Sequence, residues 1–158
     1  HYFKDKDELL FATMRHLLAD LRTDTVAKLA FATSPKDRIF AIIDASFGDA
    51  QFDEGVFSAW LALYGGARQS GRLRRIVEIY HRRLNSSLLH DLRKLVDEPQ
   101  ARRLAEGIAA MIDGLWLRYA LTGKPRDPEI PRTMTRDYFS AMAEQASNTG
   151  RRALRVAS

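Results

Sequence analysis

With 158 residues, 46% of them hydrophobic and 28% charged, the chain has the make-up of one folded domain that can bury about two thirds of its unfolded surface, not of a disordered segment. It contains no cysteine, which excludes disulfide frameworks, thiolate metal sites and cysteine nucleophiles and is compatible with a cytoplasmic location. The net charge of +5 permits a polyanionic partner without pointing to one, because the basic residues are spread along the chain.

His1-Tyr2-Phe3-Lys4 has neither an initiator Met nor the apolar run of a signal peptide, so further chain is expected upstream. Apolar residues then recur at helical spacing and no run alternates as a half-buried strand does, which predicts an all-α fold. Asp5-Lys6-Asp7-Glu8 has the form of a capping box, predicting a first helix from there through Leu10, Met14, Leu17 and Leu21 to about residue 30. Ser34-Pro35 opens a second, carrying Ile39, Ile42, Ile43 and Phe47, which Gly48-Asp49 ends or kinks. A short third helix over about 54–64 is expected to close at Gly65-Gly66. The fourth follows Ser70-Gly71 and presents Leu73, Ile76, Tyr80, Leu84 and Leu88 on one face, ending near Asp97.

A fifth helix over about 99–121 is apolar nearly all round from Leu104 onward, as a helix buried on several sides would be. Its apolar stretch contains Asp113 and Arg118 and is shorter than the roughly 20 residues a membrane-spanning helix needs, so no membrane span is expected. After Gly123-Lys124-Pro125, Asp127-Pro128 caps a sixth helix with Ile130, Met134, Tyr138 and Met142 as its stripe, and the tail from 148 to 158 reads as frayed.

Few residue patterns carry chemistry. The segment Gly66-Ala67-Arg68-Gln69-Ser70-Gly71-Arg72-Leu73 approaches a phosphate-binding loop but has Arg72-Leu73 where Lys and a hydroxyl residue are required, and it follows a helix instead of a strand. It reads as a helix–helix turn. His16, Asp20 and Asp24 share a helix face at a spacing that could hold a metal but matches a solvated polar face as well, so no metal and no cofactor is expected.

The third helix places Asp53, Phe57, Trp60 and Tyr64 in one narrow sector, a stripe that is either core packing or a cage. Asp113 adds a second clue, since a carboxylate on a central helix must pair internally, with an arginine or a helix cap, or face a cavity that takes a cation. A quaternary ammonium has no proton to donate, so aromatic faces and one anion must stabilise it, each desolvated contact contributing about 2 kcal/mol. Trp60, Tyr64, Asp113 and Trp116 form the candidate cage, with Phe57 and Tyr119 as secondary members. Gly107, Ala110 and Gly114 form a small-residue face that, with the sixth-helix stripe, suits either intramolecular packing or a two-fold interface through about 99–121 and 128–146.

The segment His1-Tyr2-Phe3-Lys4-Asp5-Lys6-Asp7-Glu8-Leu9-Leu10 resembles the junction that closes the helix-turn-helix of TetR-family repressors, where an aromatic pair ends the recognition helix and a Lys precedes the next helix. Ala59-Trp60-Leu61-Ala62, Tyr80-His81-Arg82-Arg83-Leu84 and Ile112-Asp113-Gly114-Leu115-Trp116-Leu117-Arg118 look like the effector domain of that family's BetI-like, choline-responsive members. The resemblance implies a TetR-type C-terminal ligand-binding and dimerisation domain over 7–147, a remnant of the DNA-binding domain over 1–6 and a flexible tail over 148–158. It further implies a homodimeric repressor of glycine betaine synthesis that leaves its operator DNA when a choline-like effector binds, with Tyr2 and Lys6 touching DNA phosphates. An uncharged effector, a helical enzyme using Asp113 or His81 as general base, and a purely structural dimerisation module remain as alternatives.

Overall fold

The structure, a computed structural model, describes residues 2–123 and 127–156, with side chains for 5–123 and 127–150. Its elements, among the described residues, are α1 (Tyr2–Leu29), α2 (Pro35–Ser46), a 3₁₀ turn (Asp49–Phe52), α3 (Glu54–Ala67), α4 (Gly71–Leu92), α5 (Glu98–Thr122) and α6 (Glu129–Val156). Most of the helix starts follow from side-chain oxygens that satisfy backbone N–H groups with no partner inside the helix. Asp37 N–H donates to Ser34 Oγ at 3.1 Å ahead of Pro35, and Gln100 N–H donates to Asp97 Oδ1 at 3.0 Å ahead of Pro99. Glu129 N–H donates to Asp127 Oδ1 at 2.9 Å. Gly123 closes α5 at φ 65, a left-handed conformation that glycine adopts without a Cβ clash.

Three expected boundaries are corrected. Helix α1 runs unbroken from Tyr2 through Asp5, so the Asp5–Glu8 segment is helix interior and not a capping box. Gly65 and Gly66 lie inside α3, because Gly66 is where Leu73 approaches: a Cβ there would sit 2.7 Å from Leu73 Cδ1. Helix α4 stops at Leu92, and a turn to Val96, whose N–H donates to Leu92 O at 3.0 Å, leads into the Asp97 cap. In α6 the described backbone is helical to Val156, with Thr149 Oγ1 donating to Gln145 O at 3.0 Å.

The core gathers Met14 of α1, Ile39 and Ile43 of α2, Leu63 of α3, Leu88 of α4, Ile108 of α5 and Phe139 of α6. Helix α4 packs against α3, α5 and α2, which makes it the central strut. Helix α5 is not enclosed on all sides. Ile108, Ile112 and Trp116 face inward, whereas Gly114 has open space beside it and Leu117 and Leu121 are exposed. The small-residue face divides accordingly: Gly107 receives the Tyr138 hydroxyl of α6, while Ala110 and Gly114 stay at the surface.

Candidate functional site

The inward faces of α3, α4 and α5 converge on one aromatic cluster. Trp60 stands edge-on to Tyr80 with ring centroids 4.9 Å apart, and its centroid lies 5.8 Å from Tyr64 and 6.0 Å from Trp116. These rings, with Asp113, Ile112, Gln51, Ser46 and Leu21, line a cavity of about 20 Å³, room for a single water. Trp116 is held in place because its indole N–H donates to Gln51 O at 3.2 Å, which satisfies the one polar atom of a buried side chain.

The structure therefore brings Trp60, Tyr64, Asp113 and Trp116 round one cavity. It places the two secondary members behind that wall: Phe57 packs edge-on against Trp116 at 5.3 Å, and Tyr119 lies 6.1 Å from Phe52. Asp53 is not on the stripe at all. It is the exposed N-cap of α3, accepting from Gly55 N–H at 2.8 Å and Val56 N–H at 3.3 Å. Lys6 is exposed on α1, and the Tyr2 side chain lies outside the described residues. On the polar face of α1, His16 Nε2 meets Asp20 at 3.4 Å while Asp24 pairs with Lys28 at 3.7 Å, so the three candidate metal ligands do not converge.

Asp113 pairs with neither an arginine nor a helix terminus. Tyr80 donates its hydroxyl to Asp113 Oδ1 at 3.1 Å, and His81 Nε2 sits 3.0 Å from Oδ2. Burial pushes the Asp113 carboxyl above its usual range, and the His81 charge and the two hydrogen bonds pull it back only in part. Burial, reinforced by the Asp113 charge, also raises the Tyr80 and Tyr64 phenols, so both keep their protons and Tyr80 acts as a donor. Tyr80 and His81 are the site residues that residue spacing did not supply, because their register against α5 is set by tertiary packing. The signals were that Asp113 needed a partner and that the Tyr80–Leu84 segment shared the family resemblance.

A half-open groove of about 560 Å³ between α1, α2 and α4 shares Leu21, Ser46 and Tyr80 with this cavity. Those three side chains separate a space large enough for a small molecule from the cage behind it.

Relatives and neighbours place this body among transcription factors. The helical arrangement superposes on a transcriptional regulator from Pseudomonas aeruginosa PAO1 with a TM-score of 0.77 over 91% of this chain and 72% of that one, at 21% identity. A regulator from Rhodococcus sp. Rha1 gives 0.70 over 92% and 77%, at 22% identity. The helical arrangement is thus a fold shared with those two solved structures. Residues 35–144 match the family model described as BetI-type transcriptional repressor, C-terminal. The sequence is 46% identical over 141 residues to the HTH-type transcriptional regulator BetI of Rhizobium meliloti, covering 89% of this chain and 70% of that protein. It is 44% identical over 140 residues to that of Brucella canis, covering 89% and 71%. The chain belongs to the BetI-type transcriptional repressors, a TetR-type family, and its relatives are regulators and not enzymes. The general-base reading of Asp113 and His81 falls with that finding. Among the described residues no helix is long and apolar enough to cross a membrane.

Proposed function

We propose that this chain senses choline or a related quaternary ammonium compound and transmits its binding along α1 to a DNA-binding segment that holds an operator, in control of glycine betaine synthesis. The observation that carries this reading is one mostly buried carboxylate, Asp113, facing the same cavity as Trp60, Tyr64, Tyr80 and Trp116. Ring quadrupoles and a single anion are the combination a cation without N–H donors requires. Both tryptophans belong to the cluster, so titration with choline should change tryptophan fluorescence saturably. The change should be lost in Asp113→Asn, and a flat titration overturns the assignment. A neutral effector is the second reading, favoured by the fact that Tyr80 and His81 already occupy both Asp113 oxygens. For that reading, binding would survive Asp113→Asn.

We also infer that two copies pair through α5 and α6, where Leu117, Leu121, Ile130 and Met134 are exposed beside the open Gly114. Such a stripe of large apolar side chains on two neighbouring helices suits a two-fold four-helix interface. Leu121→Glu combined with Met134→Glu should convert a dimer to a folded monomer by light scattering. A wild-type monomer, or a dimer untouched by both charges, refutes it. Operator contacts by Tyr2 and Lys6 follow the family resemblance. Lys6→Ala in the full-length repressor should weaken operator binding and lower its salt dependence.

A further inference from the structure

We propose that His81 is the displaceable internal cation of this site: in its protonated form it neutralises Asp113 until a cationic effector takes that place and drives off the imidazole and its proton. This rests on the reading that the cavity takes a cation.

The geometry assigns the two partners of Asp113 different fates. Tyr80 lies inside the cluster, edge-on to Trp60 at 4.9 Å, and its hydroxyl reaches Oδ1 from the cavity wall. His81, the next residue of α4, meets Oδ2 at 3.0 Å from the solvent side, with 47% of its side chain exposed against 30% for Asp113. A rotamer change carries the imidazole into water at little cost, whereas the carboxylate is anchored on α5 and cannot follow. An ion pair with one mobile, hydrated member suits exchange: a buried charge is costly without a counter-ion, so the partner leaves only when another cation arrives.

The other groups facing Asp113 supply no competing charge. They are Leu21 from α1, Ser46 from α2, Gln51 from the 3₁₀ turn, Trp60 and Tyr64 from α3, Tyr80 from α4 and Trp116 on α5 itself. The two phenols stay protonated. Along α4, Glu78 and Arg82 flank His81 but are exposed. His81 is thus the one basic side chain paired with Asp113 among the described residues.

The consequence is linkage between effector and proton. Where His81 is protonated, each bound effector releases one proton, so affinity rises as pH rises, by up to about ten-fold per pH unit. Where the imidazole is already neutral, affinity no longer depends on this group. Titration of Asp113 itself pushes affinity the same way but persists without His81, so the variant separates the two.

The experiment is calorimetric titration of choline chloride into the protein between about pH 5.5 and 8, the range over which histidines titrate, in buffers of different ionisation enthalpy. Wild type should show Kd falling with pH and levelling off, with close to one proton released per choline at the acid end. His81→Gln should lose the proton that the imidazole contributes, keep only the dependence that Asp113 itself supplies, and at the acid end bind tighter than wild type. Binding by wild type that is independent of pH and releases no protons overturns the proposal alone. Weaker binding by His81→Gln at every pH also overturns it, since the imidazole then supports the site and does not compete. No binding by wild type at any pH overturns the cation-effector reading, and the proposal with it.

Discussion

At Asp113 burial and pairing oppose one another, and the direction of the net effect fixes a stability prediction. The carboxyl is raised above its ordinary value, first by desolvation. A group whose pKa is higher in the folded than in the unfolded chain favours folding while protonated; that contribution is complete below the unfolded value and lost as pH rises through the folded one. At neutral pH the ionised Asp113 therefore opposes folding, and Asp113→Asn should raise the melting temperature of the ligand-free protein. Each kcal/mol relieved corresponds to about 2–4 °C for a chain of this size, read by scanning calorimetry at pH 7. The gain should shrink as acid protonates the wild-type carboxyl. A variant no more stable than wild type at neutral pH would mean that the Tyr80 and His81 bonds outweigh desolvation. The same substitution removes the anion a cationic effector needs, so stability and sensing are opposed at one residue. Asp91 is the contrast. Its side chain is 1% exposed, yet Arg38 Nε lies 3.1 Å from both oxygens and Lys94 Nζ 3.1 Å from Oδ1, a link between α2 and α4. Asp91→Ala should cost roughly 2–3 kcal/mol in denaturant unfolding, the scale of losing charge-assisted hydrogen bonds at a buried site.

Among elements, α5 against α6 is the contact most open to a designed test, because it turns on one missing Cβ. A methyl at Gly107 would collide with the Tyr138 hydroxyl. Gly107→Ala gains about 1 kcal/mol of helix propensity but should lose more by overpacking, which typically costs about 1–3 kcal/mol. Removing the hydroxyl leaves the ring carbon Cζ at 3.2 Å from that methyl. Gly107→Ala with Tyr138→Phe should therefore be more stable than Gly107→Ala alone, and simple additivity of the two substitutions would refute the collision. The same comparison of local signal with packing explains what the sequence made legible. Ser34-Pro35 and Asp127-Pro128 announced their helices because a cap acts within one turn. Gly65-Gly66 misled because the second glycine answers to Leu73 of the neighbouring helix, a contact no local pattern carries. The candidate site divides along the same line: Trp60 with Tyr64, and Asp113 with Trp116, lie on common faces of single helices and were legible. Tyr80 and His81 meet Asp113 only through the register of α4 against α5.

For the molecule as a whole, the relation between the closed cage and the open groove decides how binding could reach DNA. The cage leaves about 20 Å³, too little for a trimethylammonium group, while about 560 Å³ lies on the far side of Leu21, Ser46 and Tyr80. Entry of an effector thus requires the partition to move, and Leu21 belongs to α1, the helix that carries Lys6. From Leu21 to Lys6 is about 22 Å of continuous helix at 1.5 Å per residue, so on the proposed reading a displacement of the partition would reach that end as rigid-body motion. The free energy of opening is subtracted from the affinity, as for any ligand whose competent state is sparsely populated. Leu21→Ala removes part of the partition and should separate these terms. Because Leu21 is half-buried, truncation should destabilise the ligand-free protein by roughly 1–2 kcal/mol, below the range for fully buried leucines. Choline should nevertheless bind several-fold tighter, since the space is already open. In the full-length repressor the tighter binding should release operator less completely, because α1 no longer has to move. Calorimetry on the variant and operator release measured at saturating choline test both halves. Weaker choline binding would mean that Leu21 is a wall the effector needs and that the opening runs through α3 or α4. Tighter binding with undiminished release would leave the cage intact but take α1 out of the path to DNA.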